Sequence, residues 1–149
     1  DRPATMFVAD FLGSPPMNFL SFHGGVRSGD RSVRLDDAEI AVPELREERA
    51  PADLALGIRP EHVRLDDGAP LRGTVFGTEY LGTTQIVAIE TAHGPLKARL
   101  PADLPVETGE NVGLSFRSER LSVFDKGSGR ALASALYAGG AHASGGAHG

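Results

Sequence analysis

Glycine and proline interrupt this sequence so often that only short segments of regular structure fit between them. The chain has 149 residues, of which 19 are glycine and 10 are proline. Both residues weaken the interior of helices and strands and are common at turns. The apolar runs between them are short and often alternate with polar residues, which favours many strands joined by tight turns. We therefore expect an all-β fold.

Alternation and turn residues place the expected strands along the chain. They are residues 18–22, 31–35, 39–42, 54–58, 62–65, 71–80, 84–91, 95–100, 111–117 and 121–124. The second and third are expected to form a hairpin around Asp36-Asp37. Gly73 and Gly77 are expected at bends or bulges of the longest strand. Short strands with glycine bends favour a closed or partly closed small β-barrel, with a β-sandwich as the alternative.

Three segments do not follow this strand pattern. Residues 4–12 place apolar side chains on one helical face between Pro3 and Gly13, which predicts a short N-terminal helix. Residues 43–53 are rich in charge and proline, which predicts a loop or a short helix at 44–49. Residues 138–149 consist of Gly, Ala, Ser and His and are expected to form a disordered tail, since they offer little to bury.

The charge balance argues against a nucleic-acid-binding protein. Asp and Glu (20) outnumber Lys and Arg (15), which gives a formal net charge of −5, whereas phosphate backbones are neutralised by a surplus of basic side chains. Cysteine is absent, which excludes disulfides and thiolate chemistry and fits a reducing cytoplasm. No apolar run reaches the roughly 18 residues that indicate a membrane-spanning helix.

The sequence contains no recognisable catalytic constellation. It lacks the phosphate-binding loop, the dinucleotide-binding glycine motif, the zinc-protease motif and the serine-hydrolase elbow. Ser21 and His23 would share one face of a strand, but no orienting third group is evident, so a polar strand end is the simpler interpretation. Glu79 and Glu90 could pair across a hairpin, although solvated positions are the simpler interpretation for both. We expect no enzymatic activity and no catalytic residue.

Small-molecule binding has two candidate positions. His142 and His148 could contact a metal, but no third ligand lies nearby, so no metal site is expected. The turn at Gly82, Thr83 and Thr84 could hold an oxyanion with backbone N–H groups and hydroxyls. A plain hairpin turn is the simpler interpretation. A domain that senses an oxyanion or a sugar phosphate stays as the alternative function.

Three stretches resemble the C-terminal region of the ATP-binding subunits of sugar-type ABC importers, the maltose and glycerol-3-phosphate class. They are residues 2–18, residues 56–63 (Leu-Gly-Ile-Arg-Pro-Glu-His-Val, the most specific motif) and residues 73–82, followed at suitable distances by 109–112 and 121–125. The resemblance extends from residue 1 to about residue 132. The ATPase domain of that family, with its nucleotide-binding motifs, has no counterpart here, so none of its ATP-site residues is carried over.

The resemblance implies an OB-fold-like, transport-associated regulatory domain that holds two ATP-binding subunits together. ATP and magnesium would bind in the parent protein and no cofactor in this chain. Expected partners are a second copy of the subunit, the membrane subunits through the ATPase domain, and a regulatory protein, with no nucleic acid. The candidate signature and interface residues are Gly57, Arg59, Pro60, Glu61, Glu79, Leu81 and Gly82.

The resemblance also implies an organisation and a location. Residues 1–14 would end the preceding ATPase domain as a linker helix, 15–137 would form the OB-fold-like domain, and 138–149 would be the tail. A chain that starts at Asp1 rather than at methionine is expected to be cut from a longer protein. The parent protein is expected in the cytoplasm, bound to the inner face of the cell membrane through the transporter.

Overall fold

The structure is a computed structural model that describes residues 16–136. Its strands are β1 (Asn18–Val26), β2 (Ser32–Leu35), β3 (Ala38–Ala41), β4 (Arg49–Ile58), β5 (Val63–Leu65), β6 (Leu71–Leu81), β7 (Thr84–Thr91), β8 (Gly94–Pro101), β9 (Asn111–Phe116) and β10 (Ser122–Asp125). Two short 3₁₀ turns, Pro60–His62 and Ser118–Arg120, complete the regular structure. The all-β prediction is confirmed. The predicted helix at 4–12 and the predicted tail at 138–149 lie outside the described residues.

The strands form three antiparallel sheets. Their orders are β1-β4-β10, β2-β3 and β5-β9-β6-β7-β8. In the five-stranded sheet the edge strands β5 and β8 contact each other, but no hydrogen-bonded ladder joins them within the described residues. The sheet therefore curls into a five-stranded barrel that stays partly open. Of the two forms expected from the sequence, a closed or a partly closed barrel, the described residues form the partly closed one.

The alternation of β7 shows why this sheet curls around a core. Gln85, Val87 and Ile89 are fully buried, whereas the residues between them face outward and are at least partly exposed. Period-two alternation places every second side chain on the inner face of a sheet. The predicted bounds of this strand, 84–91, agree with the structure.

Two of the predicted turn and bulge positions are confirmed and one is not. Asp36 in the β2–β3 turn has a φ of 56°, and the register of β6 on β7 shifts between Val75 and Gly77. Gly73 has a different role, because a Cβ there would lie 2.5 Å from the Cγ2 of Ile89. Gly73 therefore serves close packing between neighbouring strands rather than a bend.

The prediction of a loop or helix at residues 43–53 is wrong in its second half, because β4 begins at Arg49. No helix forms at 44–49. β10 pairs with only four residues of β4, from Leu54 to Gly57, so the start of β4 pairs with β1 alone. That free side tolerates Pro51, since proline is accepted in strands that lack a neighbour on one side.

A charged network holds the start of β4 against the end of β10. Arg49 contacts Glu47 at 2.7 Å through Nε and Asp125 through Nη1. Glu47 also accepts the N–H of Ala133 at 2.6 Å. Burial alone would raise the pKa of Asp125, but hydrogen bonds from two backbone N–H groups and from Arg49 outweigh it and lower that pKa. This network therefore holds a strand end at a position where the sequence predicted a loop.

Two polar side chains join the sheets to one another. The Asn18 side chain pairs with the backbone of Lys97 in β8, donating to its carbonyl oxygen at 2.9 Å and accepting its N–H at 2.8 Å. His93, between β7 and β8, exchanges backbone and side-chain contacts with Ser21 at 2.9 Å. The Nε2 of His93 also lies 3.3 Å from a carboxylate oxygen of Asp36. The barrel is thereby fastened to β1 and to the β2–β3 hairpin.

Candidate interaction surface

Residues 56–63, the most specific motif, form the corner at which the chain passes from β4 into the five-stranded sheet. Arg59 is extended, with φ −78° and ψ 148°, as expected for a residue before proline. Pro60 opens the first 3₁₀ turn and is buried. The carbonyl oxygen of Arg59 accepts the N–H of His62 at 2.9 Å, and the N–H of Val63 bonds the carbonyl of Pro60. The corner is therefore fixed by its own backbone.

Gly57 makes room for an aromatic pair next to this corner. A Cβ at Gly57 would lie 2.8 Å from the sulfur of Met17 and 2.8 Å from a ring carbon of Phe124. Phe124 is fully buried and meets Phe19 edge to face, with centroids 5.5 Å apart and an interplanar angle of 85°, a favoured aromatic geometry. Gly57 is therefore a packing residue.

The side chains of Arg59 and Glu61, on either side of Pro60, do not hold the corner together. In residues 16–136 they make no ion pair with each other. Glu61 is exposed, and Arg59 is partly buried. The backbone closes the turn instead, because the carbonyl of Arg59 accepts the N–H of His62.

His62, the last residue of the 3₁₀ turn, has a partly buried side chain. Its Nδ1 is buried and has no partner among the described residues. Burial, together with the charges of Arg117, Arg120 and Arg59, lowers the pKa of His62 from 6.5, against the opposing effect of Glu61. The neutral imidazole is therefore the form that this corner favours.

The second group of motif residues lies at the tip of the β6–β7 hairpin. Leu81 pairs with Thr84, so the loop contains only Gly82 and Thr83. Gly82 has a φ of +70°, which agrees with a type II′ turn that places glycine first. Thr84 Oγ1 donates to the carbonyl of Leu81 at 3.3 Å, and the carbonyl of Thr83 accepts the N–H of Ala102 at 2.9 Å. These bonds are those of a hairpin turn rather than of an oxyanion nest.

A cleft of about 620 Å³ brings part of both motif groups together. It extends over β6, β7 and β8 towards the start of β1 and the 3₁₀ turn. Its lining residues are Pro16, Met17, Asn18, Phe19, Pro60, Phe76, Glu79, Leu81, Ile86, Pro95, Leu96, Lys97 and Arg99. Three of the predicted residues, Pro60, Glu79 and Leu81, therefore share one surface, whereas Gly57, Arg59, Glu61 and Gly82 do not line it.

The wall of the cleft exposes large apolar side chains. Phe76 is 53% exposed and Leu81 47%, and the neighbouring Tyr80 is 60% exposed. Contiguous exposed apolar groups often mark interaction sites. The sequence analysis did not single out Phe76. A usable signal was present, because Phe76 stands beside the bulge glycine Gly77, where the alternation of β6 breaks.

Charges alternate with apolar groups across the outer face of β6, β7 and β8. Glu79 is the register partner of Ile86, and Ile86 is the register partner of Arg99, so these three residues form one row across the strands. In the next row Ala88 of β7 lies between its register partners Gly77 of β6 and Lys97 of β8. Within residues 16–136, none of the three charged side chains takes part in an ion pair.

The residues of the catalytic pairings considered from the sequence have other partners in the structure. Ser21 Oγ accepts a hydrogen bond from Lys126 at 2.9 Å, and His23 contacts Asp53 at 3.0 Å. Glu79 and Glu90 do not face each other, because Glu90 is the register partner of Thr74.

No three His, Cys, Asp or Glu side chains within residues 16–136 come together as a possible metal site. No helix in that range has the length and apolar character needed to cross a membrane.

Two family models match the chain, and they meet at the corner described above. The MalK OB fold domain matches residues 13–63 and the TOBE domain matches residues 56–124. Their overlap, residues 56–63, is the motif that carries the chain from one sheet to the next. The two matches together account for most of the described strands.

The curated relatives are ATP-binding proteins of import or ABC transport systems. The chain is 37% identical over 127 residues to the sn-glycerol-3-phosphate import ATP-binding protein UgpC of Chromobacterium violaceum, which covers 84% of this chain and 34% of the relative. It is 32% identical over 135 residues to the uncharacterized ABC transporter ATP-binding protein YurJ of Bacillus subtilis, covering 83% and 37%. The chain thus spans about a third of the length of the curated relatives it matches.

Among solved structures, the cytoplasmic molybdate-binding protein ModG aligns with a TM-score of 0.48 and 12% identity, over 71% of this chain and 94% of that chain. Such a score supports no statement about a ligand. The two family models and the importer relatives agree with the motifs and with the curled five-stranded sheet. The chain therefore carries the MalK OB fold and TOBE domains, and it is similar to import ATP-binding proteins over about a third of their length.

Proposed function

We propose that this chain is the regulatory and dimerisation part of the ATP-binding subunit of an ABC importer for sugars or related solutes. The observation that carries the proposal is the match of the two domain models to residues 13–124. The relatives are import ATP-binding proteins about three times as long. ATP and magnesium would then bind in a part of the protein that these residues do not include.

The proposed partners follow from the same assignment. A second copy of the subunit would contact this domain, and the membrane subunits would contact the ATP-hydrolysing part. A regulatory protein is a further expected partner. The complete protein would act at the cytoplasmic face of the membrane.

The experiment compares solute uptake in cells that carry the intact subunit with uptake in cells whose subunit lacks residues 16–136. We expect transport to become poorly regulated, or the ATP-binding subunits to stop assembling as a pair. Unchanged uptake, regulation and pairing would contradict the proposal. The pure 149-residue chain, assayed with ATP and magnesium, should show no turnover, and measurable turnover would contradict it independently.

Sensing of a small anion is the second candidate, and one observation favours it. Lys97 and Arg99 lie beside the apolar cleft and take part in no ion pair among residues 16–136, so their charge is available to an oxyanion or a sugar phosphate. Calorimetry with phosphate, sulfate, molybdate and glycerol phosphate tests this. Heat that disappears in Lys97→Gln and Arg99→Gln would support it, and the absence of heat with all four would eliminate it.

A further inference from the structure

The cleft over β6, β7 and β8 combines apolar walls with one cationic end. Phe76 and Leu81 of β6 and Ile86 of β7 line it, and the first two are about half exposed. Lys97 and Arg99 line it on β8, and both are exposed. Small-molecule sites are mostly apolar with a few placed polar groups, and their volumes are roughly 300–1,000 Å³. The cleft, at about 620 Å³, has that composition and size.

The charges of the cleft are separated from one another. Glu79 and Arg99 are the register partners of Ile86 on its two sides. Neighbouring strands are about 4.8 Å apart, so the negative and positive positions are about 10 Å apart. In the part of the chain that the structure describes, neither Lys97 nor Arg99 takes part in an ion pair. An acidic group of a ligand would therefore lie at the β8 end, away from Glu79.

The row next to these charges leaves room for the rest of such a ligand. Gly77, Ala88 and Lys97 are register partners across the three strands. A Cβ at Gly77 would meet nothing within 4 Å, and Ala88 contributes only a methyl group. Phe76 stands at the β6 end of this row and is 53% exposed. No large side chain of the row therefore separates the ring of Phe76 from the β8 cations.

We propose that this cleft binds a small amphipathic anion, a carboxylate or phosphate monoester that carries an alkyl or aryl body. The acidic group pairs with Lys97 and Arg99, because bonds between charged groups are the strong ones. The apolar body covers Phe76, Leu81 and Ile86, because removing apolar surface from water is favourable. The inference goes beyond the second candidate function, whose anions are polar throughout and would leave that apolar surface in water.

Calorimetry on the 149-residue chain tests both parts of the ligand. Octanoate should bind about tenfold more tightly than hexanoate, because each buried methylene strengthens binding about three- to fourfold. 1-Octanol, which has the same chain without the charge, should bind at least about tenfold more weakly than octanoate. Equal affinity for hexanoate and octanoate would overturn the apolar part of the proposal, and equal affinity for octanol and octanoate would overturn the anionic part.

Variants test the assignment of the residues. Lys97→Gln and Arg99→Gln should each weaken octanoate binding about tenfold, and Phe76→Ser should weaken it several-fold. Glu79→Gln should leave the affinity unchanged or increase it, because it removes a repulsive charge. Arg64→Gln is the matched control, since Arg64 is exposed on β5 and does not line the cleft. Wild-type affinity in both cation variants, or an equal loss in the control, would overturn the assignment.

Methyl resonances locate the ligand without any substitution. Octanoate should shift the signals of Leu81 and Ile86, whereas Val33, buried in the β2–β3 hairpin, should not respond. Shifts spread equally over all three residues would overturn the site.

The outcomes separate this inference from the functions proposed above. Octanoate binding without heat from phosphate, sulfate, molybdate or glycerol phosphate would support the amphipathic ligand and eliminate the second candidate. Phosphate binding that an alkyl chain does not strengthen would overturn the amphipathic ligand and leave the second candidate intact. Absence of heat with octanoate would overturn the inference and leave the regulatory and dimerisation role untouched, because that role is measured by uptake and pairing.

Discussion

The corner at residues 56–63 and the tip of the β6–β7 hairpin both carry residues of the family motifs, but the fold uses them differently. At the corner, Gly57 and Pro60 are enclosed by packing, and the backbone closes the turn. At the tip, Glu79 and Leu81 are exposed. The motif residues therefore have two roles: some are required by the fold, and others remain available for contact.

The largest expected effect is at the corner, in Gly57→Val. The added methyl groups would have to displace the Met17 sulfur and the buried Phe124 ring, and overpacking of this kind costs about 3 kcal/mol. Urea unfolding measures the loss. Gly77→Ala is the control, because a Cβ there meets nothing within 4 Å. Equal stability of Gly57→Val and wild type would show that packing at the corner does not require glycine.

The second-largest loss of stability is expected at Asn18, which lines the cleft. Asn18→Ala removes both bonds to the backbone of Lys97 and should cost about 2 kcal/mol, since it leaves a donor and an acceptor of β8 without partners. Asn18→Asp keeps the acceptor for the N–H but places a carboxylate oxygen against the carbonyl, so it should not restore stability. A wild-type urea midpoint in Asn18→Ala would show that the floor of the cleft is not fastened by this side chain.

His62 gives the stability of the corner a dependence on pH. Its pKa is lowered by burial and by nearby arginines, so the unfolded chain binds a proton more readily than the folded chain. The contribution of His62 to stability is therefore complete above pH 6.5 and decreases as the pH falls below that value. In His62→Gln, melting temperatures measured between pH 7.5 and about 5 should decrease less steeply than in wild type. Parallel curves for the two proteins would contradict this.

The smallest expected effect is at the tip. Phe76→Ser and Leu81→Ser should change the free energy of unfolding by less than about 0.5 kcal/mol, because exposed side chains outside special sites contribute little. The measurement is made at concentrations at which the chain is monomeric. A loss as large as that of Gly57→Val would show that the tip, too, is part of the folded core.

The sequence predicted strands well wherever alternation and turns were both present. β7 has its predicted bounds, and the hairpin around Asp36 formed as expected. The start of β4 was missed because Arg49, Pro51 and Asp53 look like loop residues, and only their pairing with β1 alone explains why a strand accepts them. The pairing of distant strands has no local signal in the sequence.

The candidate surface was only partly predictable, for a related reason. Glu79 and Leu81 were found through the family motif, whereas Phe76, Lys97 and Arg99 were not singled out. These three come from two strands, and their shared face depends on the register of β6 on β7 and of β7 on β8. A bulge at Phe76 changes that register by one residue, which alternation along a single strand does not reveal.

The continuous path from β4 through Pro60 into β5 has a consequence for the cooperativity of unfolding. The two family domains share residues 56–63, and no flexible linker separates the sheets on either side. We therefore expect the two sheets to unfold together. Backbone amides in β4 and β9 should then exchange with solvent deuterium at similar rates.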